Sequence, residues 1–132
     1  MSDLVVDASV AARAVTAKST SDRALRDRLT SSVCHAPHLI DAEVGNALRR
    51  QVAVGAIEAD TAEAALRTLE PLISERYAHT AFVRPAWSLR DNLSYYDALY
   101  AALAARLGLP LLTADKRLAN APGLPCEVEL IS

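Results

Sequence analysis

The chain has 132 residues and a mass of 14.1 kDa, with 52% hydrophobic residues, 23% charged residues and a mean hydropathy of +0.13. This composition suits a single domain with a substantial core and excludes a disordered tail or a multidomain machine. Fourteen Lys and Arg face 16 Asp and Glu for a net charge of −2, so no global attraction to nucleic acid phosphates exists and any such contact must be local.

Ser2 and Asp3 precede only the short apolar run Leu4-Val5-Val6, without the basic region and long apolar stretch of a secretory leader, so a cytoplasmic location is expected. Leu4 to Asp7 reads as a buried strand, and Ala8 to Ala17 continues it into a helix. A second amphipathic helix is predicted at Asp22–Thr30, on the stripe Ala24, Leu25 and Leu29. Val33 to Ala36 forms the next strand, with Pro37 suited to the first turn of a helix that runs through Leu39, Ile40, Val44, Ala47, Leu48 and Val52 towards Gly55. Asp60 to Ile73 keeps the helical period and pairs with its predecessor as a hairpin, Pro71 kinking or ending it. Glu75–His79 is read as a short strand and Thr80–Leu89 as a helix that tolerates Pro85. Ser94–Leu107 is a helix closed by Gly108 and Pro110. Its apolar run Ala98–Ala105 stops at Arg106, far short of the ~20 residues of a membrane span. Leu111–Thr113 is a strand, Lys116–Ala121 a short helical turn, Pro122-Gly123 a turn and Glu127–Ile131 the last strand. Strands alternating with helices imply a parallel sheet covered on both faces. Cys34 and Cys126 lie outside any Cys-x-x-Cys spacing and read as buried free thiols.

Carboxylates sit where an apolar pattern makes them expensive. Asp7 and Asp115 each follow an apolar strand, at the strand ends that open onto the ligand crevice of a parallel α/β sheet. Each could equally serve as the N-cap of the helix that follows. Asp97 belongs to a helix apolar nearly all round, where a ligand or a capping box with Ser94 would satisfy it. Glu43 lies beside the apolar stripe of its helix, with no basic residue at i+4, while Asp41 is turned to another face. Four carboxylates in one cleft repel and raise one another's pKa unless a cation neutralises them. An all-oxygen set favours Mg²⁺ or Mn²⁺, which points to phosphoryl chemistry.

The blocks Leu4-Val5-Val6-Asp7-Ala8-Ser9, Glu43 with Asn46 and Leu48, Asn92-Leu93-Ser94-Tyr95-Tyr96-Asp97-Ala98 and Leu112-Thr113-Ala114-Asp115 resemble, in order and spacing, the PIN-domain nucleases. More narrowly they resemble the VapC-type toxins of bacterial toxin-antitoxin pairs, over essentially the whole chain. The resemblance implies a single PIN domain over 1–132, a three-layer α/β/α sandwich with a central, mostly parallel sheet of four to five strands. It also implies Mg²⁺- or Mn²⁺-dependent endoribonuclease activity, homodimers, and neutralisation by a cognate VapB-type antitoxin. Asp7, Glu43, Asp97 and Asp115 match the acidic catalytic positions, with Asp7, Asp97 and Asp115 as metal ligands. Ser9 and Thr113 match the flanking hydroxyls, and Asn92 and Asn46 fit less specifically. An antitoxin segment is expected to place a basic side chain among the carboxylates and apolar contacts on the helical hairpin.

Two other readings use the same residues. One is a phosphotransfer domain with Asp7 as nucleophile, although Ser9 stands where a second Asp would be wanted. The other is a non-catalytic interaction or RNA-binding module presenting the hairpin Leu39–Ile73. Cys34, His35 and His38 make a weak zinc pattern interrupted by Pro37. His79 is expected at a strand or loop edge. Among the aromatics Tyr77, Phe82, Trp87, Tyr95, Tyr96 and Tyr100, core packing is the default for Phe82 and Trp87, while base stacking is open to the others. Arg13, Arg23, Arg26, Arg28, Arg49, Arg50, Lys116 and Arg117 flank the proposed cleft in sequence and could hold RNA phosphates.

Overall fold

Val5, Val6, Cys34, Ala36, Leu111 and Leu112 are all fully buried, as strand residues must be when a parallel sheet is covered on both faces. The computed structural model describes residues 2–132. Strand β1 (Asp3–Val6) is the middle of a five-stranded, wholly parallel sheet. It is flanked by β2 (Val33–Pro37) and β3 (Glu75–Tyr77) on one side and by β4 (Leu111–Thr113) and β5 (Val128–Leu130) on the other. Helices α1 (Ala8–Thr16), α2 (Thr20–Thr30), α3 (Leu39–Ala53) and α4 (Ala59–Leu72) lie on the connections from β1 to β3, and α1 packs against the other three. The return crossing from β3 to β4 carries a 3₁₀ turn at His79–Phe82, α5 (Val83–Trp87) and α6 (Tyr95–Leu107), which pack on one another. A last helix, α7 (Lys116–Ala119), joins β4 to β5.

Right-handed crossovers running in opposite directions across a sheet put their helices on opposite faces, which gives the expected three-layer sandwich. The direction reverses between β1 and β4. That is the switch point where the carboxyl ends of parallel strands leave a crevice. The register Val6 to Leu112 sets the next residues, Asp7 and Thr113, side by side at its floor. Helix α6 forms the wall of the second layer. Its residues Ala98 to Ala104 are all buried, and the alternation of Ala with Leu99, Tyr100 and Leu103 lets it lie close against β1 and β2.

Several boundaries differ from the expected ones for local reasons. Ser19 accepts the Asp22 N–H and starts α2 at Thr20, two residues before the expected start. Pro37 closes β2 opposite Tyr77 and does not open α3. The α3 N-terminus is instead capped from another part of the chain, the Leu39 N–H donating to His79 Nε2 at 2.9 Å. Pro71 sits in the last turn of α4, where the chain is about to leave the helix. The predicted helix Thr80–Leu89 is broken into the 3₁₀ turn and the five-residue α5. With so short a helix only Ala86 is buried on α5, so Trp87, expected in the core, is 58% exposed and covered by Arg90 at 5.1 Å. Phe82 is buried as expected. Cys34 lies in the core and Cys126 is half-buried. His35 is bonded to Tyr77 and Asp3. No described helix is long and apolar enough to cross a membrane.

Candidate active site

A cavity of about 390 Å³ opens at the switch point, lined by Asp7, Ser9, Glu43, Asp97 and Asp115 together with Arg50, Tyr96, Tyr100 and Arg117. Each acid arrives on a different element. Asp7 follows β1 and is 5% exposed. Its Oδ1 accepts the Val10 N–H at 3.1 Å, capping α1, and the Ser9 hydroxyl at 2.6 Å. Its Oδ2 accepts the Thr113 hydroxyl from β4. Ser9 in turn accepts the Ala114 N–H at 2.9 Å, and Thr113 accepts the Asp115 N–H at 3.0 Å. The two hydroxyls thus lace the β1–α1 turn to the β4–α7 turn and fix both Asp7 and Asp115. Asp115 also caps α7 through Arg117 N–H at 2.9 Å. For both residues the capping and cavity-lining readings hold together.

Asp97 stands at the third position of α6. Its backbone N–H donates to Ser94 Oγ at 3.1 Å, which is the Ser94 half of the capping box, while its carboxylate lines the cavity. Glu43 projects from α3 and accepts the hydroxyl of the fully buried Tyr100 at 2.7 Å through Oε1. Asp41 faces away and pairs with Arg76. Thr113 lies buried beneath Asp7. Asn92 lies outside the lining, its amide set against the Pro122-Gly123 turn so that a Cβ on Gly123 would meet Nδ2 at 3.1 Å. Asn46 holds Arg49 on the exposed side of α3.

Of the cations expected near the cleft, only Arg50 and Arg117 line the cavity. Arg13 and Arg28 are tied to Asp22 and Glu129, and Arg26 lines a separate pocket between α2 and α4. Tyr100, open to base stacking in the sequence, is instead fully buried with its hydroxyl on Glu43, so its place in the site is to position that acid. Its signal was the i,i+3 spacing from Asp97, which puts both on one face of α6.

The acids act on one another electrostatically. Burial raises the Asp7 carboxyl above its ordinary 3.8, with the charge of Asp97 adding to it, against the lowering effect of Ser9, Thr113 and Val10. Burial likewise raises Glu43, opposed by the Tyr100 hydroxyl and reinforced by the charges of Asp97 and Asp7. Asp97 is raised by burial and by Asp115. A carboxyl whose folded pKa exceeds its unfolded value contributes stability that is complete below the unfolded value and lost as pH rises through the folded one. In chelator, acidifying wild type from neutral pH down to the ordinary carboxyl value of 3.8 is therefore expected to raise the melting temperature relative to an Asp7→Asn variant. A gap that stays constant across this range, read by scanning fluorimetry, would show that Asp7 carries no such strain.

The donor set suits a hard divalent cation. Carboxylates from four elements line the cavity with no His or Cys among them, and burial, reinforced by neighbouring carboxylate charge, raises the pKa of Asp7, Glu43 and Asp97, a cost that a bound cation would relieve. Among the described residues no three acidic, His or Cys side chains stand close enough to cage an ion unaided. Mg²⁺ keeps several waters and is usually held by one or two carboxylates together with substrate phosphate, so an open arrangement is compatible with it.

The sequence pattern of the PIN domain family matches residues 4–124. The chain is 50% identical over 132 residues to Ribonuclease VapC1 of Mycobacterium tuberculosis, covering 99% of each chain. It is 42% identical over 118 residues to Ribonuclease VapC3 of the same organism, covering 89% of this chain and 86% of that one. Its fold matches a chain in the crystal structure of VapBC2 from Rickettsia felis bound to a DNA fragment from their promoter, with a TM-score of 0.69, 13% identity and complete coverage of both chains. At that identity the likeness is one of fold.

Proposed function

Because the chain belongs to the PIN domain family and, within it, to the VapC ribonucleases, we propose that its acid cavity hydrolyses RNA phosphodiester bonds with Mg²⁺ or Mn²⁺ as cofactor. In this reading the protein is the cytoplasmic toxin of a type II toxin-antitoxin pair, halting translation and growth until its antitoxin neutralises it. The observation that carries it is the convergence of Asp7, Glu43, Asp97 and Asp115 on one cavity at the switch point. Asp7, Asp97 and Asp115 would hold the ion. When bound, the ion supplies positive charge that polarises the phosphoryl group and acidifies nearby water.

The chain's own residues supply position and proton transfer. Ser9 and Thr113 lock Asp7 from two sides, so its carboxylate does not have to be ordered when substrate arrives. Tyr100 occupies Glu43 Oε1, which leaves Oε2 to accept the proton of the attacking water. The raised Glu43 pKa moves this base closer to the operating pH. An antitoxin segment fits the same reading through a basic side chain among the acids. Apolar contacts would be made on the groove between α3 and α4, where Leu48, Val52, Ala62 and Leu66 line about 390 Å³. A homodimer belongs to this reading as well.

Incubation of purified protein with structured RNA in Mg²⁺ or Mn²⁺ should give discrete cleavage products that disappear with chelator and in Asp7→Asn. Phosphorylation of Asp7 without cleavage would replace the nuclease by a phosphotransfer domain, and metal-independent binding alone would leave an interaction module.

A further inference from the structure

Building on the nuclease reading, we propose that Tyr96 is the stacking platform for an unpaired nucleobase beside the scissile linkage, with Arg50 and Arg117 holding the adjoining phosphates. Tyr96 lines the acid cavity and is nevertheless 59% exposed, so its ring contributes little to the core and offers a free face at the mouth. It immediately precedes Asp97 in the first turn of α6, which holds anything stacked on it next to the acids. The other exposed rings, Trp87 and Tyr95, lie outside the cavity lining, and Trp87 is covered by Arg90.

Charge supports the same occupant. Four acids repel a polyanion, so cations at the rim decide whether it can enter. Arg50, from α3, forms no ion pair among the described residues. Arg117, from α7, has a side chain 90% exposed and only a 3.6 Å contact with Asp115. Both guanidiniums are therefore available to phosphate oxygens. A base in a duplex hides its faces against its neighbours, whereas an unpaired base can be splayed onto an aromatic ring whatever its identity. Tyr96 thus selects for unpaired RNA, and the two arginines add affinity without reading sequence.

The test is fluorescence anisotropy of a labelled mixed-sequence RNA 12-mer, alone and annealed to its complement, in chelator so that it stays intact, run beside cleavage of the same 12-mer in Mn²⁺. Tyr96→Ala should weaken binding of the unpaired 12-mer by about 5- to 150-fold, with little effect on the duplex. Tyr96→Phe should keep the affinity for the unpaired 12-mer within about twofold of wild type. Arg50→Gln and Arg117→Gln should weaken both forms and each reduce the salt slope by about one. Wild type that cleaves RNA while Tyr96→Ala binds and cleaves equally well overturns the stacking platform and leaves the nuclease reading intact. Wild type that cleaves nothing, yet loses unpaired-RNA affinity in Tyr96→Ala, overturns the nuclease reading and keeps the platform.

Discussion

The Asp97→Asn protein is expected to lose RNA cleavage by about 10²- to 10⁴-fold and, in metal-free buffer, to melt at a higher temperature than wild type. Most substitutions in a folded domain destabilise it, so the sign of the second effect is diagnostic. The Asp97 carboxyl is pushed up by burial and by the charge of Asp115, so at neutral pH its ionised form opposes folding. Asn keeps the shape and removes the charge. The helix start keeps its bond from the backbone N–H of residue 97 to Ser94 Oγ, while Asn gives up the smaller favourable pull of Ser94 and Arg117 on the carboxylate. A gain of about 0.5–2 kcal/mol is reasonable for relieving a strained functional group, or roughly 2–8 °C for a domain of this size. Cleavage assays and scanning fluorimetry in chelator measure the two effects separately. Loss of activity together with a lower melting temperature would make Asp97 a structural residue.

Tyr100→Phe should lower kcat by about 10- to 100-fold, the range for removing a group that orients a functional ligand, and leave KM near its wild-type value. Phe fills the same space at a site only 1% exposed, so the core survives with a loss of about 1 kcal/mol from the missing hydrogen bond. What changes is Glu43, whose Oε1 loses the donor at 2.7 Å. That hydrogen bond lowers the Glu43 pKa, so without it the carboxyl titrates higher and the acid limb of the pH–rate profile moves to higher pH. An unchanged limb and kcat would exclude Glu43 as the base.

Most of the architecture was legible because it rests on local chemistry. Asp7, Ser94 and Asp115 each announce a helix start, Gly108 and Pro110 announce a stop, and the apolar runs at Leu4, Cys34 and Leu111 are too short for anything but buried strands. The four acids were legible through their positions, Asp7 and Asp115 at strand ends, Asp97 on an apolar helix and Glu43 beside an apolar stripe. What escaped was decided by residues far apart in the chain. The hydroxyl of Tyr100 meets Glu43 across 57 positions, and His79 caps a helix that begins 40 residues earlier. Neither contact leaves a periodic trace. Trp87 failed for a different reason: its hydrophobicity suggested the core, but a five-residue helix has one buried face and Ala86 occupies it. The basic residues were unreadable individually because Arg13, Arg28 and Arg50 look alike in sequence and differ only in whether an acid lies within reach.

The lacing of Asp7 to Thr113 spans 106 positions, and that of Ser9 to Ala114 spans 105. During synthesis the middle strand of the sheet is therefore made more than a hundred residues before the neighbour that completes its crevice. Chains emerge N-terminus first at about 5–20 residues per second, so the first half of the cavity waits about 5–20 seconds for the second. Whatever this cavity catalyses is withheld until Thr113 and Asp115 have been made and have joined Asp7.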